Sequence, residues 1–387
     1  MKFLHISDLH LGKKVEQYDL IEDQEHILGQ IAEIAQAEKP DAILIAGDIF
    51  DRSVPSEEAV HLWDRFLGDL AADAIPIYVV PGNHDSAVRV SFGAGLLHNS
   101  GLHIAAPCTG SPEVFTLSDS FGEARIYLLP FTSRRAARDL FPEESDEIKT
   151  YTDAVRRVLG THPPDPAVRS VLVAHQYVTG DEDPCRRCDS EDVIGGVDNV
   201  DLSIFSDFDY VALGHLHRPQ KVGNRPEVRY CGTPLKYSRS EKDDTKSVTV
   251  VTLAQKGQVD IQTRPLIPLH DRREIRGQFQ QILDEAKGID EARRCDYVYV
   301  VLTDEIEQPG AIEQLRTCYP NLAGLSYDNQ RTRTESIIDI PENVQSRSIR
   351  EIFEELFQTQ NGKTFTDQQR EFLETLIAEL GKEGETA

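Results

Sequence analysis

Apolar residues open the chain as an unbroken run, Phe3-Leu4-His5-Ile6, that ends at Ser7-Asp8-Leu9-His10 and turns at Gly12. Such a run reads as a buried strand, and because strand side chains alternate with period two, Asp8 and His10 fall on one face. Ile21, Ile27, Leu28, Ile31, Ile34 and Ala35 then recur at intervals of three and four up to Pro40, which predicts an amphipathic helix. Ala42-Ile43-Leu44-Ile45-Ala46 is apolar without alternation, as expected of a parallel strand covered on both faces, and it ends at Gly47-Asp48. Strand, helix and strand make a βαβ unit. Pro55, Ser56, Glu57 and Glu58 supply helix-start chemistry ahead of a stripe of Leu62, Trp63, Phe66, Leu67 and Leu70. The next strand, Ile75 to Val80, stops at the turn-rich Pro81-Gly82-Asn83-His84-Asp85.

The same pattern continues. Residues 126–130 and 168–174 read as strands with a helix around 146–159 between them, and the second strand ends at His175. The acidic, glycine-containing stretch 179–200 reads as a surface loop near the site. Asp209 to Leu213 is a strand ending at Gly214-His215-Leu216-His217, and Val228 to Tyr230, Ser247 to Leu253 and Val259 to Arg264 read as later antiparallel strands. The expected architecture is a layered α/β sandwich over residues 1–268. A small α+β domain over 269–340 follows: helix 275–287, strand 297–302, helix 310–318 and a strand near 323–327. Residues 341–387 form a helical tail, with one stripe at Ile349, Ile352, Phe353, Leu356 and Phe357, a break at Gly362, and a second at Phe372, Leu373, Leu376, Ile377 and Leu380. These stripes either pack on the preceding domain or face a partner.

Charge narrows the choice of partners. The 387 residues carry 41 Lys and Arg against 66 Asp and Glu, a net charge of −25, so nucleic acid cannot be held by a uniformly basic surface and any contact must be local. Arg134, Arg135 and Arg138 form one local basic cluster, and Lys236, Arg239 and Lys242 another. No apolar run reaches the ~18 residues of a membrane span and no leader segment is evident, so a cytoplasmic protein that does not bind membranes is expected. Six cysteines without disulfide-framework spacing agree with a reducing compartment, and Cys185-Arg186-Arg187-Cys188, lacking a second ligand pair, reads as an ordinary surface loop.

Asp8, His10, Asp48, Asn83, His175, His215 and His217 all sit at strand ends. Singly, each has a plain explanation: a cap, a turn residue or a core histidine. Together they amount to the ligands of two ions, with Asp48 the natural bridge. Imidazole, carboxylate and amide oxygen suit Mn²⁺, Fe²⁺ or Zn²⁺ and need no thiolate.

Asp8-Leu9-His10, Gly47-Asp48-Ile49-Phe50-Asp51-Arg52, Gly82-Asn83-His84-Asp85, His175 and Gly214-His215-Leu216-His217 resemble, in order, the five motifs of the calcineurin-like metallophosphoesterases. Within them, the opening and the stretch 209–217 are similar to the bacterial nuclease subunits that work with an SbcC-type, SMC-family ATPase. The resemblance implies a layered metallophosphoesterase sandwich with a small capping domain and a tail that grips the ATPase. It places one ion on Asp8, His10, Asp48 and His217 and the other on Asp48, Asn83, His175 and His215. Mn²⁺ is the first expectation, with Fe²⁺, Zn²⁺ or Mg²⁺ as alternatives. His84 would protonate or stabilise the leaving oxygen, with Asp51 orienting it and Asp85 in a supporting place. Implied too are exonuclease and structure-dependent endonuclease activity on DNA in repair and recombination, a homodimer through helices around 56–70 and 86–100, and a heterotetramer with two copies of each subunit. A small-molecule phosphodiesterase or phosphatase would use the same ligands but leave the extra domain and tail unexplained, and a third possibility is a scaffold for the ATPase.

Overall fold

The computed structural model describes residues 1–72, 74–180, 185–191, 199–334, 349–361 and 364–383. The chain divides into two compact units, residues 1–272 and residues from 273 onward.

The first unit is built on two six-stranded sheets. One has the spatial order Val259–Pro265, Ser247–Leu253, Lys2–Ile6, Ala42–Ala46, Ile77–Val80, Leu102–Ile104, and the other Gln220–Val222, Arg225–Tyr230, Tyr210–Gly214, Arg169–His175, Gly122–Leu129, Glu113–Asp119. Alternate residues of the central strands meet between the sheets. Phe3, Leu44, Ala46 and Val80 pack with Ile126, Leu128, Val173 and Ala212 in one buried cluster. On the outer face of the second sheet, Tyr127, Leu172, Val211 and Tyr230 pack against Val155, Val158 and Leu159 of the helix Tyr151–Leu159. On the first sheet the intervening Leu4, Ile6, Ile43 and Ile45 are buried as well, which is why these strands read as continuous apolar runs. The helices Ile21–Glu38 and Glu57–Ala71 bury most of the stripes expected of them, with Ile21, Ile34 and Leu67 half-buried, and Ser56 caps the second by accepting from Ala59 N.

Several elements depart from expectation. The helix expected from 146 begins at Tyr151, because Thr150 and Asp153 form a reciprocal capping box. The strand carrying Val228 to Tyr230 runs parallel to Tyr210–Gly214, not antiparallel, because the chain first turns back through Gln220–Val222. The helix expected from 275 begins at Phe279, whose N–H is taken by the Asp304 carboxylate, and residues 275–277 complete a strand, Arg272–Gly277.

The second unit holds a three-stranded sheet ordered Arg272–Gly277, Tyr297–Leu302, Leu322–Tyr327, with Phe279, Ile282, Val300, Leu315 and Tyr319 in its core. The helices Ile349–Asn361 and Asp367–Glu383 are tied to each other by Arg350 to Glu374 (2.8 Å) and by Arg370 to Glu354 (3.3 Å), while Phe353, Leu356, Phe372 and Leu376 stay exposed. The expected break at Gly362 and the expected boundary at 340 lie outside the described residues.

Candidate metal centre

The strand Lys2–Ile6 pairs in parallel with Ala42–Ala46, so the two chains leave their sheet together. Asp8 N donates to Gly47 O (3.0 Å) and His10 N to Asp48 O (2.9 Å), locking the two exit loops to each other. In the second sheet His175 is the register partner of Gly214, which delivers His215 next. Asp8, His10, Asp48 and His215 all adopt positive φ, at 53°, 46°, 47° and 113°. Non-glycine residues there cost on the order of 1–3 kcal/mol each and collect at functional sites. Gly47 and Gly82 make the close approach possible: a Cβ on Gly47 would stand 2.3 Å from His175 Nδ1, and one on Gly82 2.1 Å from Asp48 Oδ1.

All seven sequence-predicted ligands come together. Asp48 Oδ2 lies 3.3 Å from His175 Nε2 and 3.7 Å from His10 Nε2, so one carboxylate oxygen reaches both groups of histidines. His10 Nε2 and His217 Nε2 are 3.2 Å apart. Asn83 Oδ1 is 2.9 Å from His175 Nε2 and 3.0 Å from His215 Nδ1. Ligand atoms of Asp8, His10 and His217 lie within 4.8 Å of one another, as do those of Asp8, Asp48 and His175, so Asp8 stands near both groups. The donor set is oxygen and imidazole nitrogen throughout, and His10 Nδ1 is buried without a hydrogen-bond partner. Buried imidazole nitrogens and carboxylate and amide oxygens converging on one place fit divalent cations.

Electrostatics point the same way. Burial holds His217 and His10 well below the usual histidine range and His215 at about 3, which keeps their lone pairs available near neutrality. Burial also works against a charged His175, but the Asp48 carboxylate, by charge and hydrogen bond, and then Asp8 raise it to about 9. Burial lifts Asp8 to about 7. For Asp48 burial pulls upward too, and is overcome by His175 and then His10, which leave it well below the carboxylate range. Asp8 and His175 are therefore both shifted toward their protonated forms, and a divalent cation would displace those protons.

A second layer of residues, which sequence patterning does not single out, holds the ligands in place. Ala46 O lies 2.9 Å from His175 Nδ1, leaving Nε2 to face the centre. Gln24 Nε2 donates to His10 O (2.8 Å) and Tyr237 OH to Leu9 O (2.6 Å). Ser190 and Glu191, from the stretch expected as a surface loop near the site, contact His217. Asp85, expected as a supporting group, accepts from the main-chain N–H of Ile49, Phe50 and Gly82 and so joins two ligand loops.

His84 N donates to Asp48 Oδ1 (2.9 Å), and His84 Nδ1 lies 3.1 Å from the main-chain oxygen of Asp51. The Asp51 carboxylate accepts from Lys13 Nζ at 2.6 Å and sits 3.7 Å from His10 Nδ1. A third group, Cys188, Glu241 and Asp244, also has clustered ligand atoms, but a cation is already there: Arg218 Nε is 3.2 Å from both Cys188 Sγ and Asp244 Oδ2. Of the basic clusters, Arg134 and Arg138 donate to the carbonyls of Lys149 and Ile148, and Lys236 pairs with Asp271. The segment 86–100 is not one helix but the short turns Ala87–Val90, Ala94–Leu97 and His98–Ser100; Phe92, between the first two, and Leu96, on the second, are 87% and 85% exposed. Among the described residues no helix is long and apolar enough to cross a membrane.

Residues 1–219 match the calcineurin-like phosphoesterase family, and residues 268–361 match the type 5 capsule protein repressor C-terminal domain. The D subunit of the nuclease SbcCD from Staphylococcus epidermidis is 31% identical over 331 residues, covering 84% of this chain and 85% of that protein. Among solved structures, the phosphopantetheinyl hydrolase PptH of Mycobacterium tuberculosis covers 60% of this chain and 90% of its own at 17% identity with a TM-score of 0.33. TT1561 of Thermus thermophilus covers 68% and 98% at 10% identity with a TM-score of 0.37.

Proposed function

Because the chain belongs to the calcineurin-like phosphoesterase family and is a homologue of the D subunit of the SbcCD nuclease, we propose that its strand-end centre hydrolyses DNA phosphodiesters. The observation that carries this reading is Asp48 Oδ2, set within 3.3–3.7 Å of histidines from both groups of ligands. Asp8, His10, Asp48 and His217 would hold one divalent ion, and Asp48, Asn83, His175 and His215 the other. Mn²⁺ is the first candidate, since the donors are imidazole, carboxylate and amide oxygen. When bound, such ions lower the pKa of water and polarise a phosphoryl oxygen.

The protein's own residues do the remainder. Burial keeps His10, His215 and His217 neutral, so they are ready to ligate near pH 7. His84 N donates to Asp48 Oδ1 and Nδ1 lies against the Asp51 carbonyl, and the charged ring would donate a proton toward the leaving oxygen. Asp51 then serves His84 through its main chain, and its carboxylate holds Lys13 beside His10.

The matched C-terminal domain and the named relative support a division into a nuclease domain (1–268), a small capping and DNA-recognition domain (269–340) and a tail (341–387) that binds an SbcC-type ATPase. The exposed apolar side chains of Ile349–Asn361 and Asp367–Glu383 suit that docking, and those of Phe92 and Leu96 suit a homodimer, giving two copies of each subunit in a cytoplasmic complex. The test is Mn²⁺-dependent digestion of linear, hairpin and single-stranded DNA beside bis-p-nitrophenyl phosphate, with and without the ATPase. DNA cleavage is expected. Hydrolysis of the small ester alone would replace this reading with a small-molecule phosphodiesterase.

A further inference from the structure

Six consecutive residues, Arg186 to Glu191, are each fastened to the structure beneath them. Arg186 N donates to Gln220 Oε1 and Gln220 Nε2 donates back to Arg186 O, both at 2.8 Å. The Arg187 guanidinium lies 4.2 Å over the Tyr177 ring, Arg218 Nε donates to Cys188 Sγ, and Asp189 N donates to Ser240 Oγ. The last two residues clasp His217. Ser190 Oγ is 2.7 Å from His217 Nδ1, and Glu191 Oε1 accepts from His217 N at 2.8 Å.

Behind Ser190 stands Glu241, fully buried, with Lys246 Nζ at 2.5 Å from its Oε2. Lys246 also donates to His217 O (2.8 Å), so the same ion pair touches the ligand's main chain. A carboxylate paired with a lysine accepts and does not donate. Ser190 Oγ lies 2.8 Å from Glu241 Oε1, and its single proton goes there. The hydroxyl then has only lone pairs to offer His217 Nδ1, which must carry the ring proton, and Nε2 is left unprotonated, facing His10 Nε2 across 3.2 Å.

We propose that Ser190 is a positioning residue for the metal centre: with Glu241 behind it, it fixes the His217 tautomer that presents Nε2 to a cation. This rests on the reading of Asp8, His10 and His217 as metal ligands. Partners of this kind typically account for about 10–100-fold in metal affinity.

Calorimetric titration of the full chain with Mn²⁺ tests it, using two variants of equal shape that differ in one hydroxyl. Ser190→Thr should bind two ions as the wild type does. Ser190→Val should bind one ion about 10–100-fold more weakly and leave the other unchanged. Wild-type affinity for both ions in Ser190→Val would overturn the proposal, and so would equal damage in both variants, which marks a merely structural role. A wild-type chain that takes up no Mn²⁺ would instead overturn the metal-centre reading, and the proposal with it. Nitrogen-15 NMR of the wild-type histidines is a second readout that needs no variant to fold: the proton of His217 is expected on Nδ1, and finding it on Nε2 refutes the assignment.

Discussion

The strand Arg169–His175 carries a buried basic or titratable side chain at each end, and the two ends are treated in opposite ways. At the amino end Arg169 makes a two-pronged pair with Asp119 (2.5 and 3.1 Å) and donates further to the carbonyls of Gly122 and Ala254. Next to it Asp209 accepts from Ser170 N, Gly257 N and Lys256 Nζ. Every charge there is answered by the protein. At the carboxyl end His175 joins two buried aspartates and three further histidines, four of these five at positive φ, and burial holds a proton more firmly on Asp8 while His10 Nδ1 has no hydrogen-bond partner. One end is closed by ion pairs and hydrogen bonds, and the other is the end where the proposed metal centre lies.

Breaking the open end should cost function first. His84→Gln is expected to lower DNA hydrolysis by about 10²–10⁴-fold. Mn²⁺ stoichiometry and the thermal midpoint should stay as in the wild type, since His84 is not among the expected ligands. Retained activity in a gel assay would remove His84 from the chemistry.

Breaking the closed end should cost folding instead. Arg169→Met leaves Asp119 with the N-terminal ammonium and Phe121 N as its donors, and takes a donor from the carbonyls of Gly122 and Ala254. The expected loss is about 3 kcal/mol, the low end for a buried pair because Asp119 is a fifth exposed. Urea denaturation measures it, and a loss under about 1 kcal/mol would mean the carbonyl contacts re-form with water. Mn²⁺ affinity of the folded variant should not change.

pH separates the ends next. His175, raised to about 9, gives the metal-free chain stability that is complete below its unfolded value near 6.5 and is lost as pH rises through 9. His10, His215 and His217 are lowered by burial, so the stability they bring is present above 6.5 and is lost as pH falls below it. Stability should therefore peak near pH 7, with an alkaline limb of up to about 1.4 kcal/mol per unit from His175. Saturating Mn²⁺ should flatten that limb, because a ligating His175 is neutral. At the closed end Arg169 holds Asp119 below the carboxylate range, so its contribution is constant between pH 5 and 9. Arg169→Met should lower the whole profile without changing its shape, and a changed alkaline slope would refute the separation.

The contrast also explains what could be read from the sequence. Apolar runs that stop at Asp8, Asp48, Asn83, His175 and His215 are visible because a strand and its terminal residue are neighbours in the chain. The layered sheets follow from the same runs. Ser190 and Glu241 were not visible: 51 residues separate them, and nothing local marks a serine whose partners are a distant glutamate and a distant histidine. The Asp304 cap that moved the start of one helix to Phe279 reaches back over 25 residues and was hidden for the same reason. Positive φ at Asp8, His10 and Asp48 was not legible, because Asp and His favour that region only as a tendency and most of them in the chain do not adopt it. The closed end was silent throughout, since Arg169 and Asp119 look like any charged residues flanking a strand.

The smallest effect is the sharpest test of how the closed end works. Lys256→Met removes the ammonium 3.0 Å from Asp209 Oδ2, and by analogy with Arg169 it would be costly. The geometry says otherwise. Asp209 keeps its two main-chain donors, Ser170 N at 2.6 Å and Gly257 N at 2.7 Å, so its charge stays solvated by the backbone. Lys256 is about a third exposed, and its ion pair is screened accordingly. The expected loss is below about 1 kcal/mol by urea denaturation. A loss approaching that of Arg169→Met would mean that Asp209 depends on the lysine and not on the backbone, and that the closed end is held by ion pairs throughout.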